Sequence, residues 1–479
     1  MNKLHILPLF FIAATLGLFS CTGKPEPEKP NILFILADDQ CYNTIDELGN
    51  HEVITPTLDA LARQGTVFTT AYNMGGWNGA ICVASRTMFN TGRFLWRAHA
   101  YDKRLGELNE SGQLWSKEME KLGYDTYMTG KWHVKIKPDE IFTHAGTDRP
   151  GMPKDTPEGY NRPLSETDTT WRPWDKKFGG FWEGGTHWSE VVANETMDFM
   201  DTAMVSDNPF FMYIAFNAPH DPRQSPKEYV DMYPLENIAV PESFLPLYPY
   251  KDDIGCSPSL RDARLAPFPR TEYAVKVNRQ EYYAIITHMD AQIGRILDKL
   301  EETGQADNTY IFFTADHGLA VGNHGLIGKQ NMYEHSLRPP MIVVGPDIPA
   351  GKKKKMEVYI QDIMPTVIEY AGGVVPDYVE FSSLKSYIDG TATESKYPEV
   401  YGAYMDLQRM IRMDDYKLIV YPYAGVKRLF NLEDDPQEMK DLASDPSQKE
   451  RVGNMYAELQ ELMVNMGDTL KLQDFKFEL

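Results

Sequence analysis

Four short apolar runs, each ending in a polar cluster, constrain the fold of this chain more than any other feature. Residues 31–37, 210–216 and 310–315 are mostly apolar stretches of strand length, and 124–129 reads as another strand; strands of that kind belong in a sheet covered on both faces. Patterns with helical spacing separate them. That alternation predicts an α/β fold, a large, mixed but mostly parallel sheet sandwiched by helices. Residues 341–345 read as a fifth strand. In open parallel sheets, ligands sit just beyond the carboxyl ends of the strands. Here those ends carry Asp38-Asp39, Gly130-Lys131-Trp132-His133, Asn217-Ala218-Pro219-His220 and Asp316-His317-Gly318. One Asp after a strand is commonly a helix cap; four such clusters together predict a site.

The intervening helices are legible from their punctuation. Thr55-Pro56 opens one, with Leu58, Leu61 and Ala62 on one side and Gly65 at its end, the usual Pro-first, Gly-last order. Leu114, Trp115, Met119 and Leu122 form a second stripe, ended by Gly123. A long helix is expected from about Glu281, with Tyr282, Ile285, Ile286, Met289, Ile293 and Ile296 at helical spacing. After about residue 375 the pattern changes to short strands at 399–404, 408–413, 416–421 and 428–431. A final helix follows, with Val452, Met455, Leu459 and Leu462 on its apolar side. The expected division is a main domain over 31–375 and a C-terminal subdomain over 376–479, a small antiparallel sheet plus a helix.

The amino terminus carries Lys3, an apolar run over 6–19 and then Ser20-Cys21, which reads as an export signal too short to span a bilayer stably. Leu18-Phe19-Ser20-Cys21 resembles a bacterial lipobox. That implies a signal peptide over 1–20 and an acylated Cys21, with a Pro- and Glu-containing tether reaching residue 30. The expectation is an exported bacterial lipoprotein at the cell envelope, facing the periplasm or the outside, with its lipid as the sole membrane contact. Four cysteines in 479 residues imply no disulfide framework, and spacing leaves open whether Cys41 and Cys256 pair. A formal net charge of -21 argues against a nucleic-acid partner. Any anion must be bound by cations focused in a pocket.

Residue chemistry narrows the site. Asp38, Asp39 and Asp316 supply the hard oxygen ligands that suit calcium or magnesium. Arg86 follows Cys82 by four residues, so a helix starting at Cys82 stacks the two on one face. Lys131 and His133 fall on one side of an extended segment, with Trp132 opposite.

Cys82-Val83-Ala84-Ser85-Arg86, followed by Gly92-Arg93, is a Cys-x-[Pro/Ala]-x-Arg signature. With Asp38-Asp39, Gly130 to His133, Asp316 to Gly318 and Lys329, it resembles the type I, formylglycine-dependent sulfatases of the alkaline-phosphatase superfamily over nearly the whole mature chain. The resemblance implies an alkaline-phosphatase-like fold and a hydrolase of sulfate esters, a sulfuric ester hydrolase. It implies that a maturase oxidises Cys82 to formylglycine, whose hydrate attacks sulfur. It further implies that Arg86 orients the hydrate, that Lys131, His133 and Lys329 bind sulfate and the diol, and that His220 is the general acid, with Lys329 the second choice. Asp38, Asp39, Asp316 and His317, completed by residue 82, would hold one divalent cation, Ca2+ or in second place Mg2+. A His is the least conventional of these ligands by softness. Ala84 stands where many members have Pro, and Gln40-Cys41 replaces a commoner Gly-containing continuation.

A sulfated carbohydrate is the expected substrate, a fragment of glycosaminoglycan, mucin-type glycan or algal polysaccharide. Trp171, Trp174, Phe181, Trp182 and Trp188, in a long loop over 144–189, offer aromatic faces to sugar rings. Trp96, Arg97 and His99 are further candidates. Lys352 to Lys355 reads as a solvated turn. The rival readings are a phosphate or phosphonate ester hydrolase on the same fold, and an inactive glycan-binding lipoprotein.

Overall fold

Side chains alternate across an extended strand, and strand β1, Asn31–Ala37, is buried on both faces. Ile32, Phe34 and Leu36 enter one apolar layer with Trp115, Phe211 and Tyr213. Leu33, Ile35 and Ala37 enter the opposite layer with Met289, Ile293 and Phe313. This is a computed structural model and it describes Met1, residues 29–154 and residues 156–477. The export signal and lipobox lie outside the described residues. Among the described residues, no helix is long and apolar enough to cross a membrane.

The main sheet contains β1, β2 (Thr66–Tyr72), β3 (Asp125–Lys131), β4 (His144–Arg149), β5 (Phe210–Ala215), β6 (Thr309–Ala315), β7 (Met341–Val344) and β8 (Lys352–Tyr359). Their order across it is β8-β2-β7-β6-β1-β5-β3-β4. β1 runs parallel to β5 and β6, β3 to β5 and β4, and β8 to β2. β7 alone in this sheet is antiparallel to both neighbours. The mostly parallel sheet read from the apolar runs is present. Its register sets Ala37 opposite Ala315 and Gly130 opposite Ala215, so the four polar clusters leave the sheet at one level.

Helices α1 (Pro56–Gln64), α2 (Ile81–Thr91), α3 (Trp188–Ala203) and α4 (Glu272–Glu302) flank it. α4 begins well before Glu281, where Thr271 Oγ1 accepts from Ala274 N at 3.1 Å as an N-cap. Its first turns bury polar Asn278 and Glu281, paired with Arg223 and Arg162, and that polar face breaks the apolar periodicity. Lys352 to Lys355 opens edge strand β8 instead of forming a turn. Lysines along an exposed edge keep other strands from pairing there.

The C-terminal sheet contains β9 (Glu399–Tyr404), β10 (Gln408–Met413), β11 (Tyr416–Tyr421) and β12 (Val426–Asn431), in the order β12-β11-β10-β9, with helix α5 (Lys449–Met466) against it. Beside β9 lies a parallel two-residue strand, Gly75–Gly76. Gly75 has φ +84, and a Cβ there would lie 2.0 Å from the Ala403 carbonyl oxygen, so only glycine allows this approach. Ile81, Val83 and Ala84 of α2 share one apolar core with Ile411, Leu418 and Leu459. The small sheet is thereby welded to the helix that carries Cys82. Cys41, Cys82 and Cys256 are buried free thiols, so Cys41 and Cys256 do not pair.

Candidate active site

Cys82 lies in the first turn of α2, and Arg86 one turn later points the same way. Arg86 Nε donates to Asp316 Oδ2 at 2.9 Å, and its Nη1 donates to the Lys131 carbonyl. One buried guanidinium thus ties α2 to the ends of β6 and β3. Lys131 Nζ bonds Asp38 Oδ2 and lies 3.4 Å from Cys82 Sγ. Lys329 Nζ lies 2.9 Å from the same sulfur and 2.6 and 2.8 Å from the two Asp39 oxygens. Asp39 and His133 have φ of +70 and +56. Such strained non-glycine backbone clusters where a site needs a fixed geometry.

His220 follows β5. Its Nδ1 is 2.9 Å from the Asp221 carbonyl oxygen and 3.0 Å from Asp221 Oδ1, and its Nε2 is 3.6 Å from Asp39 Oδ2. These side chains are the foot of a cavity of about 400 Å³, lined there by Cys82, His133, His220 and Lys329. Gly151 crosses above His133, where a Cβ would lie 2.3 Å from the imidazole Cε1.

Charge in this dry site is strongly perturbed. Burial would raise the Asp38 carboxyl, yet Lys131, His220, Lys329 and Arg86 hold it far below the usual carboxylate range. Burial pushes Asp39 up to about 6 against the pull of Lys329 and His220. Burial and the Asp38 charge also raise Asp316. For His220 burial opposes the cation, but the carboxylates of Asp221, Asp38 and Asp39 together lift the imidazole to about 10. Burial and then Lys131 drive His133 down to about 2, so it is neutral.

The donor set fits a hard divalent cation. Ligand atoms of Asp38, Asp39, Cys82 and Asp316 all lie within 4.8 Å of one another. Asp38 Oδ1 is buried with no hydrogen-bond donor among the described residues, an orphan that a cation would satisfy. His317 is not within that group. Burial holds it neutral at about 3; its Nδ1 lies 3.0 Å from the Gly318 carbonyl and its Nε2 has no partner. That pattern leaves an Nε2 lone pair free, the tautomer of an imidazole whose other nitrogen is held by a carbonyl so that it can ligate a metal.

The structure thus gathers Cys82, Arg86, Lys131, His133, His220, Lys329, Asp38, Asp39 and Asp316 around one cavity, with His317 buried beside Asp316. Asn73 had no motif to mark it. Its Nδ2 donates to Ser85 Oγ at 2.8 Å and to the Asp316 carbonyl at 2.7 Å, bracing α2 against β6. Arg261, at the mouth, also carries no sequence signal, since it lies in an irregular loop. The aromatic loop behaves otherwise than expected. Trp182 and Trp188 are buried and bonded to the Pro173 and Glu183 carbonyls. Trp171 and Trp174 line a separate cavity of about 570 Å³ that shares no residue with the catalytic one. Trp96 bonds Tyr401 Oη and Arg97 bonds the Asn465 carbonyl, so these two face the C-terminal sheet and helix, while His99 stacks on Trp77.

A doubly covered, mostly parallel sheet with cations and carboxylates at its strand ends, facing a cysteine in the first turn of α2, is an alkaline-phosphatase-like architecture. The chain matches the sulfatase family model over residues 30–374, and a model for the N-sulphoglucosamine sulphohydrolase C-terminal region over residues 322–465. It is 31% identical over 468 residues to an arylsulfatase of Clostridium perfringens, covering 88% of this chain and 92% of that protein. An N-acetylglucosamine-6-O-sulfatase of Bacteroides thetaiotaomicron is 25% identical over 518 residues, covering 91% and 86%. The phosphonate monoester hydrolase of Silicibacter pomeroyi superposes with a TM-score of 0.71 at 20% identity, over 92% of this chain and 96% of that one, a likeness of fold. The chain belongs to the sulfatase family. It is a sulfuric ester hydrolase.

Proposed function

We propose that this sulfatase removes sulfate from carbohydrates, as fragments of glycosaminoglycan, mucin-type or algal polysaccharide, with residue 82 as formylglycine and one divalent cation beside it. The observation that carries the reading is the setting of Cys82. Its sulfur stands at the foot of the cavity, 2.9 Å from Lys329 Nζ and 3.4 Å from Lys131 Nζ. The hydrated aldehyde would offer one hydroxyl to attack sulfur and a second to release the product. Asp38, Asp39, Asp316 and His317 would hold the cation, which when bound would supply Lewis-acid polarisation of a sulfate oxygen and acidify the attacking hydroxyl.

The chain's own side chains do the rest. Lys131 and Lys329 set positive charge where the sulfate oxygens gather, a preorganised arrangement that is worth most away from water. His133, neutral, presents an unpartnered Nδ1 toward the same oxygens. Asp221 holds His220 by Nδ1, leaving Nε2 to carry a proton to the departing sugar oxygen. Arg86 fixes Asp316 and the Lys131 backbone, so the groups keep their spacing.

The carbohydrate class is supported by the N-acetylglucosamine-6-O-sulfatase relative. We also propose an exported, lipid-anchored protein at the bacterial cell envelope, facing the periplasm or the outside, on the strength of residues 6–21; replacing Cys21 by Ser would then abolish incorporation of labelled fatty acid. The second reading is phosphonate ester hydrolysis, which the shared fold favours. Protein made together with a formylglycine-generating maturase separates the two. Sulfate release from N-acetylhexosamine and galactose sulfates, far above turnover of phenyl phosphonate esters, supports the first; the reverse preference overturns it.

A further inference from the structure

Arg261 stands at the mouth of the catalytic cavity and has no part in the chemistry above. Its Nη2 donates to Asp262 Oδ1 at 2.6 Å and to Asp221 Oδ1 at 3.3 Å. Both acids are themselves fixed. Asp221 Oδ2 accepts from the Tyr160 hydroxyl, and Asp262 Oδ2 accepts from Gln330 Nε2 at 2.9 Å. Gln330 in turn donates to the Gly79 carbonyl at 3.1 Å and accepts from Lys329 N at 3.0 Å. The guanidinium is therefore held rigidly, yet it is not satisfied. Among the described residues, Nε has no partner, and Nη1 meets the thioether sulfur of Met152, which is a weak acceptor.

A charged donor fixed in place and facing a poor acceptor is preorganised for a better one. Besides water, substrate is the better acceptor that this cavity is built to admit. Two carboxylates, Asp221 and Asp262, already flank the single guanidinium of Arg261, so it is no surplus cation for a second sulfate. A neutral oxygen suits it.

We propose that Arg261 is a specificity-determining residue, donating from Nη1 to a neutral oxygen, hydroxyl or N-acyl carbonyl, on the sugar that bears the sulfate, with Met152 moving aside. This rests on the carbohydrate reading given under Proposed function. An aryl sulfate presents no such oxygen and serves as the internal reference.

The test compares kcat and KM for galactose 6-sulfate, N-acetylgalactosamine 6-sulfate and N-acetylglucosamine 6-sulfate with those for 4-nitrophenyl sulfate, on matured enzyme. Arg261→Met should lower the sugar-to-aryl ratio of kcat/KM by about 10- to 100-fold, the worth of one hydrogen bond to a charged group, with the loss in KM. A larger effect on the N-acetylated sugars than on galactose 6-sulfate would identify the carbonyl as the acceptor, and equal effects a hydroxyl. Met152→Gln offers the guanidinium a true acceptor within the protein and should lower the same ratio without removing any charge. Met152→Ala should leave the ratio equal or higher. A loss confined to kcat would mean that Arg261 acts on His220 through Asp221, and equal losses on sugar and aryl substrates would mean a structural role; either overturns the proposal. Native enzyme that turns over the aryl sulfate but none of the sugars would instead overturn the carbohydrate reading beneath it.

Discussion

Lys329 Nζ bridges Cys82 Sγ and Asp39, at 2.9 Å from the sulfur and 2.6 and 2.8 Å from the two carboxylate oxygens. One cation thus faces both the residue that is to carry the nucleophile and a carboxylate of the metal set. Lys329→Ala should lower kcat/KM for 4-nitrophenyl sulfate by about 10²- to 10³-fold, the range for removing one preorganised donor. It also strips Asp39 of its buried counter-charge. Chelated Lys329→Ala should therefore melt below chelated wild type by differential scanning fluorimetry.

Asp221 sets the proton inventory of His220. The imidazole is raised to about 10 chiefly by Asp221 against burial, so the donating form persists below that value and is lost as pH rises through it. Asp221→Asn removes the main support of the cation and should move the alkaline limb of kcat for a sugar sulfate to lower pH. His220→Ala should cost about 10²- to 10⁴-fold on a sugar sulfate, the span of general acid catalysis, and much less on 4-nitrophenyl sulfate, whose leaving group needs no proton. Equal losses on both would remove His220 from that role.

Metal removal should act on rate and stability together. Asp38, Asp39 and Asp316 are all fully buried, or within 1% of it, and a bound cation stabilises the folded state by mass action. Chelation should abolish turnover and lower the melting temperature, and Ca2+ should restore both. Full activity after exhaustive chelation would contradict the metal set.

Gly130 has φ +94, and a Cβ there would lie 1.9 Å from the Ala215 carbonyl oxygen. Gly130→Ala should cost about 2–5 kcal/mol from backbone strain and overpacking combined. Because Lys131 is the next residue, the rate should fall more than the loss of folded protein explains. Thermal melts and kcat on the folded fraction check the two parts.

Much of this site was legible because parallel strands deliver neighbouring residues to one edge. Asp38-Asp39, Gly130 to His133, His220 and Asp316-His317 each follow an apolar run directly. What stayed hidden depends on contacts far apart in the chain. Gly75 beside Ala403 joins the C-terminal sheet to the segment before Cys82, and neither position carries a period. Asn73 reaches Ser85 and Asp316 across the fold. The start of α4 was masked by buried Asn278 and Glu281, whose arginine partners lie far off in sequence. The aromatic loop misled for a related reason, since Trp182 and Trp188 satisfy their N–H groups within the loop itself. A ring suited to sugar is equally suited to packing.

The mechanism turns on the chemical state of residue 82, which peptide mass spectrometry of protein from its native host reads out. The peptide containing Cys82 should be lighter by about 18 mass units than the encoded sequence, as conversion of the thiol to an aldehyde for covalent catalysis requires. The converted fraction should track sulfatase activity across preparations. An unmodified thiol in fully active protein would rule out formylglycine as the nucleophile.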